Sequence, residues 1–189
     1  MIDLEKFKMN VAEEALLGRL AREAQPKLIA EFGCGLTTRF WAQQTEARIV
    51  TWDNFPEWIA QVQALFKDEP WFSRLEFRHY AVTPAGPRDV EKDPVPWDGP
   101  KFDFLFLDGP RSAHPPNFGR SGTFRFATQH AAERALIVWH DANRPHERQM
   151  ARRYLGHCAR RRAANVGWCR WEAPRGGLLQ SFNRLNPLA

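Results

Sequence analysis

Five short apolar runs limit what this chain can fold into more than any other feature: LIAEF (28–32), RIVTW (48–52), LEFRH (75–79), DFLFL (103–107) and ALIVWH (135–140). Their apolar character is continuous rather than alternating, as in strands buried on both faces, and intervals of about 20 to 30 residues leave room for one helix per crossover. The pattern predicts a doubly wound α/β fold around a mostly parallel sheet. Two later runs, VGWCRW (166–171) and GLLQSF (177–182), are separated only by EAPRG and predict an antiparallel hairpin at the end of that sheet. Ahead of the first run, VAEEALLGRLAREA (11–24) has apolar residues at helical spacing and is closed by Pro26. Two stretches rich in Pro and Gly, 83–100 and 109–122, predict loops at the rim of the sheet.

At 189 residues and 43% hydrophobic content the chain suffices for one buried core, so a single domain is expected over 1–189, with an N-terminal helix in 1–26 and the sheet-bearing core in 27–189. No apolar run approaches the roughly 18 to 20 residues of a membrane span, and MIDLEKFKMNVAEEALL lacks the order of a signal peptide, so the expected compartment is the cytoplasm. Cys34, Cys158 and Cys169 make an odd number with no C-x-x-C spacing, which points to reduced thiols and away from thiolate zinc. A formal charge of +5 would suit an anionic partner, and Arg152, Arg153, Arg160, Arg161 and Arg162 crowd one segment. Without interleaved aromatics to stack bases, that segment reads as a solvated helix face, and nucleic acid is the less favoured partner.

In an open parallel sheet, ligands bind beyond the carboxyl ends of the strands where strand order reverses. The residues there are unusually polar: Gly33, Gly35, Thr37 and Thr38 after the first run, Asp53 and Asn54 after the second, Tyr80 and Ala81 after the third, Asp108 after the fourth, and His140 and Asp141 at the fifth. Gly33 and Gly35 suit a sharp turn with close backbone approach, Cys34 being a small residue between them, and Asp53 is placed to accept both hydroxyls of a ribose. A dinucleotide site would carry a third glycine at position 38, where this chain has Thr38. Glu31, two positions before Gly33, puts a negative charge beside the turn that would repel a diphosphate and attract an ammonium or sulfonium group. S-adenosylmethionine carries both cations and no phosphate.

EFGCGLTT, TWD, RHYA and FDFLFLDGP, followed by a terminal hairpin, resemble the class I S-adenosylmethionine-dependent methyltransferases across nearly the whole chain. The resemblance implies a Rossmann-like sheet of seven strands with the last inserted antiparallel beside the fifth. It implies that Glu31, Gly33, Cys34 and Gly35 hold the methionine portion of the cofactor, Asp53 the ribose and the Tyr80–Ala81 turn the adenine. A narrower stretch, with Asp108, Gly109 and Pro110, then Gly119 and Arg120, then His140, Asp141, Arg144 and Glu147, is similar to the glucuronoxylan 4-O-methyltransferase group and implies O-methylation of a small-molecule or saccharide acceptor.

Methyl transfer needs an acceptor oxygen about 3 Å from the methyl carbon and a group to take its proton. Asp108 is placed to contact the methionine amine or the acceptor hydroxyl, and His140 and Asp141 are the expected general base and its orienting partner. Arg111, His114, Arg120 and Arg144 would bind the acceptor, with the arginines suiting an anionic one. Catechol-type methyltransferases use a divalent metal held by acids after the fourth and fifth strands, as Asp108 and Asp141 are, but Ala142 stands where those enzymes have Asn, so a metal is not favoured. The eight tryptophans read as core and rim packing, with Trp52 and Trp139, beside the cofactor strands, as candidates to border the adenine or acceptor pocket. The alternatives are an RNA methyltransferase and a non-catalytic nucleotide-binding domain of the same fold.

Overall fold

A computed structural model describes residues 9–81, 96–109 and 120–173. Helix α1 (Val11–Ala24) starts with a reciprocal cap: the Glu13 N–H donates to Asn10 Oδ1 at 3.0 Å and the Asn10 N–H donates to Glu13 Oε2 at 3.1 Å. Two orphan amide donors of the first turn are thereby satisfied. The helix ends at Gln25, in the left-handed region with φ 45°, just before Pro26.

The strands follow as expected: β1 (Leu28–Phe32), β2 (Arg48–Asp53), β3 (Leu75–His79), β4 (Phe102–Leu107), β5 (Ala131–His140), β6 (Arg161–Ala163) and β7 (Val166–Arg170). Between them lie α2 (Leu36–Gln44), α3 (Pro56–Phe66), α4 (Ser121–His130) and α5 (Pro145–Leu155). The sheet runs β3-β2-β1-β4-β5-β7-β6, with β1 to β5 parallel and β7 antiparallel to both β5 and β6. Strand order reverses between β1 and β4, which opens a crevice at their carboxyl ends.

Alternation along each central strand feeds two cores. Ala30, Phe32, Val50, Trp52, Leu105, Leu107, Ile137 and Trp139 join α4 and α5 on one face, while Ile29, Ile49, Phe104, Phe106, Leu136 and Val138 join α1, α2 and α3 on the other. Trp41 of α2 closes the second core, its ring 5.1 Å from Phe104 and 5.2 Å from Phe106. In the first, Phe32 stacks on Trp52 at 5.2 Å. Trp52 and Trp139 are therefore core residues, 0% and 4% exposed, as the packing reading of the tryptophans expects.

Two elements differ from the sequence expectation. β5 begins four residues early, at Ala131, and its register against β4 slips between the Phe102 and Phe104 partners, with Arg134 at φ 65°. Exposed Glu133 and Arg134 in this irregular stretch break the apolar run that marks the rest of the strand. The terminal hairpin is made by β6 and β7 through Ala164–Asn165, with Ala164 at φ 48°. β6 is exposed throughout and has no apolar run to betray it; the expected partner strand at 177–182 lies outside the described residues. Arg152 and Arg153, near the end of α5, and Arg160 to Arg162 are exposed, as a solvated basic face requires. Among the described residues no helix is long and apolar enough to cross a membrane.

Candidate active site

The crevice is built from the ends of β1, β2, β4 and β5. At its centre, Gly33 stands at φ +97°, a region L side chains rarely adopt, and its N–H donates to the Trp52 carbonyl at 2.8 Å. Gly109 packs against it so closely that a Cβ there would lie 2.8 Å from the Gly33 nitrogen and 2.9 Å from the Phe32 carbonyl carbon. Both obstacles are backbone. Gly109→Ala is expected to force β1 and β4 apart at their tips and cost about 1–3 kcal/mol, seen as a lower thermal midpoint.

The turn from Gly33 into α2 is held from below. Thr38 Oγ1 accepts the Gly35 N–H at 2.9 Å and donates to Glu31 Oε2 at 2.5 Å, and Thr51 donates to the same oxygen at 2.8 Å. Glu31 is fully buried beneath the turn, and its Oε1 has no hydrogen-bond partner. Burial pushes its pKa up to about 7, against the pull of the Thr37, Thr38 and Thr51 hydroxyls. Glu31 thus braces the loop rather than lining its surface. The third-glycine position expected of a dinucleotide site is put to a different use: Thr38 consumes a helix N-terminal amide that a diphosphate would need.

Gly35 caps α2 with extended φ, and a Cβ there would meet only the Trp58 ring, at 3.8 Å. Trp58 was not anticipated; its Nε1–H donates to the Cys34 carbonyl at 2.6 Å and ties α3 to the turn. Cys34 itself is buried, its Sγ 3.9 Å from Asp53 Oδ2, and burial with the charges of Asp53 and Glu31 drives its thiol pKa upward, so it is inert packing. Asp53 ends β2. Its Oδ1 accepts the Phe55 N–H at 3.0 Å, and burial raises its pKa. Asn54, beside it, is half-buried. Tyr80 donates its N–H to the Asp53 carbonyl at 3.2 Å, but its ring is buried edge-on to Phe32 at 6.0 Å; Ala81, next along, is exposed.

On the other side of the crevice, Arg120 gathers the acids. Its Nη2 lies 2.9 Å from Asp108 Oδ1, 3.0 Å from the Asp108 carbonyl and 3.0 Å from Asp141 Oδ2; Nη1 donates to the His140 carbonyl at 3.0 Å, and Nε is 3.7 Å from Glu147 Oε1. The side chain is 7% exposed. Arg120 was expected to grip an acceptor carboxylate; its guanidinium is instead buried and spent on the protein's own groups.

His140 lies across the same acids. Nδ1 is 3.2 Å from Asp108 Oδ1 and 3.6 Å from Asp141 Oδ1, while Nε2 is 3.4 Å from Glu13 Oε1, carried in by α1. Burial opposes its charge, but the hydrogen bond and charge of Asp108, with Asp141 and Glu13, outweigh it and push its pKa up to about 9. The same acids favour the imidazolium over the neutral ring, and only the neutral ring has a lone pair with which to act as the expected base. Asp108 moves the other way: burial would raise its pKa, yet His140 and Arg120 hold it below the usual carboxylate range. Its side chain is 28% exposed, the most open acid of the group.

Asp141 sits at φ 60° and accepts from Arg144 Nη1 at 2.8 Å and from Asn165 Nδ2 at 3.2 Å. It does not cap α5, whose N-cap is Arg144 followed by Pro145. Arg144 is 56% exposed at the rim. Arg111 and His114 lie outside the described residues. Glu13 went unforeseen as a site residue: the Asn10–Glu13 capping signature marks a helix start, and nothing in it says that the helix lands 127 residues away on His140.

No protein-family model and no curated protein sequence matches the chain. Solved structures do match in fold. An O-methyltransferase from Bacillus cereus in complex with S-adenosylhomocysteine aligns at 14% identity over 87% of this chain and 83% of its own, with a TM-score of 0.63. A methyltransferase-like protein from Silicibacter pomeroyi aligns at 16% identity over 92% and 93%, with a TM-score of 0.64. The N-methyltransferase NodS from Bradyrhizobium japonicum aligns at 13% over 85% and 95%, with a TM-score of 0.60. The chain has the Rossmann-like fold of the class I methyltransferases, down to the antiparallel strand inserted beside β5.

Proposed function

We propose that this chain is an S-adenosylmethionine-dependent methyltransferase acting on an oxygen of a small or saccharide acceptor. The observation that carries the proposal is the Gly35–Thr38–Glu31 chain: a helix N-terminus whose amide is satisfied internally is unsuited to a pyrophosphate and leaves a phosphate-free nucleoside as the better fit. The open Cβ position of Gly35 and the Asp53 carboxylate at the tip of β2 fit the same molecule, with Asn54, Thr37, Gly33 and the backbone of Tyr80 and Ala81 bordering it. When bound, S-adenosylmethionine supplies an electrophilic methyl group.

The chain's own residues then bind and orient. Asp108, ionised and open to the crevice, receives the hydrogen bond of the acceptor hydroxyl or the cofactor amine, and His140, Arg120 and Asp141 fix its position and charge. Arg144 at the rim favours an anionic acceptor. The O-methyltransferase from Bacillus cereus supports the choice of oxygen, and NodS is the contrary case.

Calorimetric titration with S-adenosylhomocysteine is expected to give one-site binding, and NAD none. Asp53→Ala is expected to weaken it about 10- to 100-fold, the effect of losing a charged hydrogen-bond acceptor. Heat with NAD and none with S-adenosylhomocysteine would refute the proposal. Labelled cofactor offered to a panel of hydroxylated acceptors, with and without EDTA, then identifies the acceptor class.

A further inference from the structure

Among the described residues, Asp108, His140 and Asp141 present ligand atoms within 4.8 Å of one another, a grouping able to hold a metal ion. The carboxylates sit after the fourth and fifth strands, where a divalent cation would bridge them. The space between them is filled. One nitrogen of Arg120, Nη2, is 2.9 Å from Asp108 Oδ1 and 3.0 Å from Asp141 Oδ2, so it touches both carboxylates at once. The guanidinium is buried and fastened at its other nitrogens to the His140 carbonyl and to Glu147, so it cannot swing aside without stranding those partners. The third prospective ligand, His140, has each ring nitrogen directed at a carboxylate, Nδ1 at Asp108 at 3.2 Å and Nε2 at Glu13 at 3.4 Å, so both nitrogens already have a protein partner. The donor set does not fit a divalent metal.

We propose that Arg120 is the resident cation of this site, occupying the position between Asp108 and Asp141 at which a metal ion would otherwise bind, and that it positions Asp108 by direct charge-assisted contact. A planar guanidinium with fixed donors orients the two carboxylates as coordination would, without a ligand that can be lost to chelation. The inference does not depend on which reaction the crevice performs, because its test reads metal binding.

The test is titration of Mn²⁺ into the folded protein, followed by the electron paramagnetic resonance signal of the free ion. Wild type is expected to show no saturable binding at this site. Arg120→Met, which removes the charge and leaves two acids facing each other, is expected to bind Mn²⁺ at least about tenfold more tightly than wild type, and Arg120→Lys, which restores a cation, to return to wild-type indifference. Stoichiometric Mn²⁺ binding by wild type that disappears in Asp108→Asn would overturn the proposal, as would a folded Arg120→Met that binds Mn²⁺ no better than wild type. The wild-type and Asp108→Asn arms decide the matter even if Arg120→Met does not fold.

Discussion

Arg120→Met is expected to lower stability by about 3–5 kcal/mol, the cost of removing one member of a buried ion-pair cluster and leaving its partners uncompensated. In a chain of this size that is a fall in the thermal midpoint on the order of 10 °C. The loss is large because three acids converge on one cation: Asp108, Asp141 and Glu147 all face Arg120, which is buried among them. Its magnitude is expected to depend on pH. Once the acids are protonated they no longer need the guanidinium, so the deficit relative to wild type should shrink as pH falls through the carboxylate range. A deficit that stays constant from pH 7 to pH 4 would mean that lost packing along the arginine stem, rather than lost charge, is responsible.

The second large effect is a stability profile that declines toward alkaline pH. Glu31 has its folded pKa raised to about 7 from 4.5, so its charged form is the penalised one. The folded state binds its proton more tightly than the unfolded state, and stability is lost as pH rises from the unfolded value through 7. His140, raised to about 9 from 6.5, contributes stability that is full below 6.5 and lost as pH rises through 9. Each shift corresponds to roughly 3 kcal/mol, and the two windows adjoin. Chemical denaturation between pH 5 and pH 9 should therefore show a steady fall. Glu31→Gln is expected to flatten the lower half of the curve, and Glu13→Gln to move the His140 ring resonances, followed by NMR, to a lower titration midpoint. A maximum near pH 9, or a His140 midpoint at or below 6.5, would contradict the geometry described here.

The sheet was legible in the sequence because strands buried on both faces must be apolar throughout, and four of the five continuous runs mark their strands to within one residue. β6 was not legible. A three-residue exposed strand leaves no hydrophobic trace, and only its pairing with β7 defines it. The glycine turn was readable from Gly33 and Asp53, whereas the burial of Glu31 was not: an acid beside a turn looks like a surface charge until its two threonine donors are seen. Of the contacts of Arg120 and His140, only the His140–Asp141 neighbourhood could be read. Both depend on acids brought from different elements, Asp108 from the end of β4, Asp141 from the end of β5, Glu147 from α5 and Glu13 from α1, and no local pattern encodes that convergence.

The short outer strand has a consequence for life in a crowded solution. Among the described residues β6 is the last strand of the sheet, and its Arg161 and Arg162 are exposed. Two molecules meeting there would bring guanidinium against guanidinium and would have to desolvate both. Guanidinium groups so placed disfavour intermolecular β-pairing along this strand.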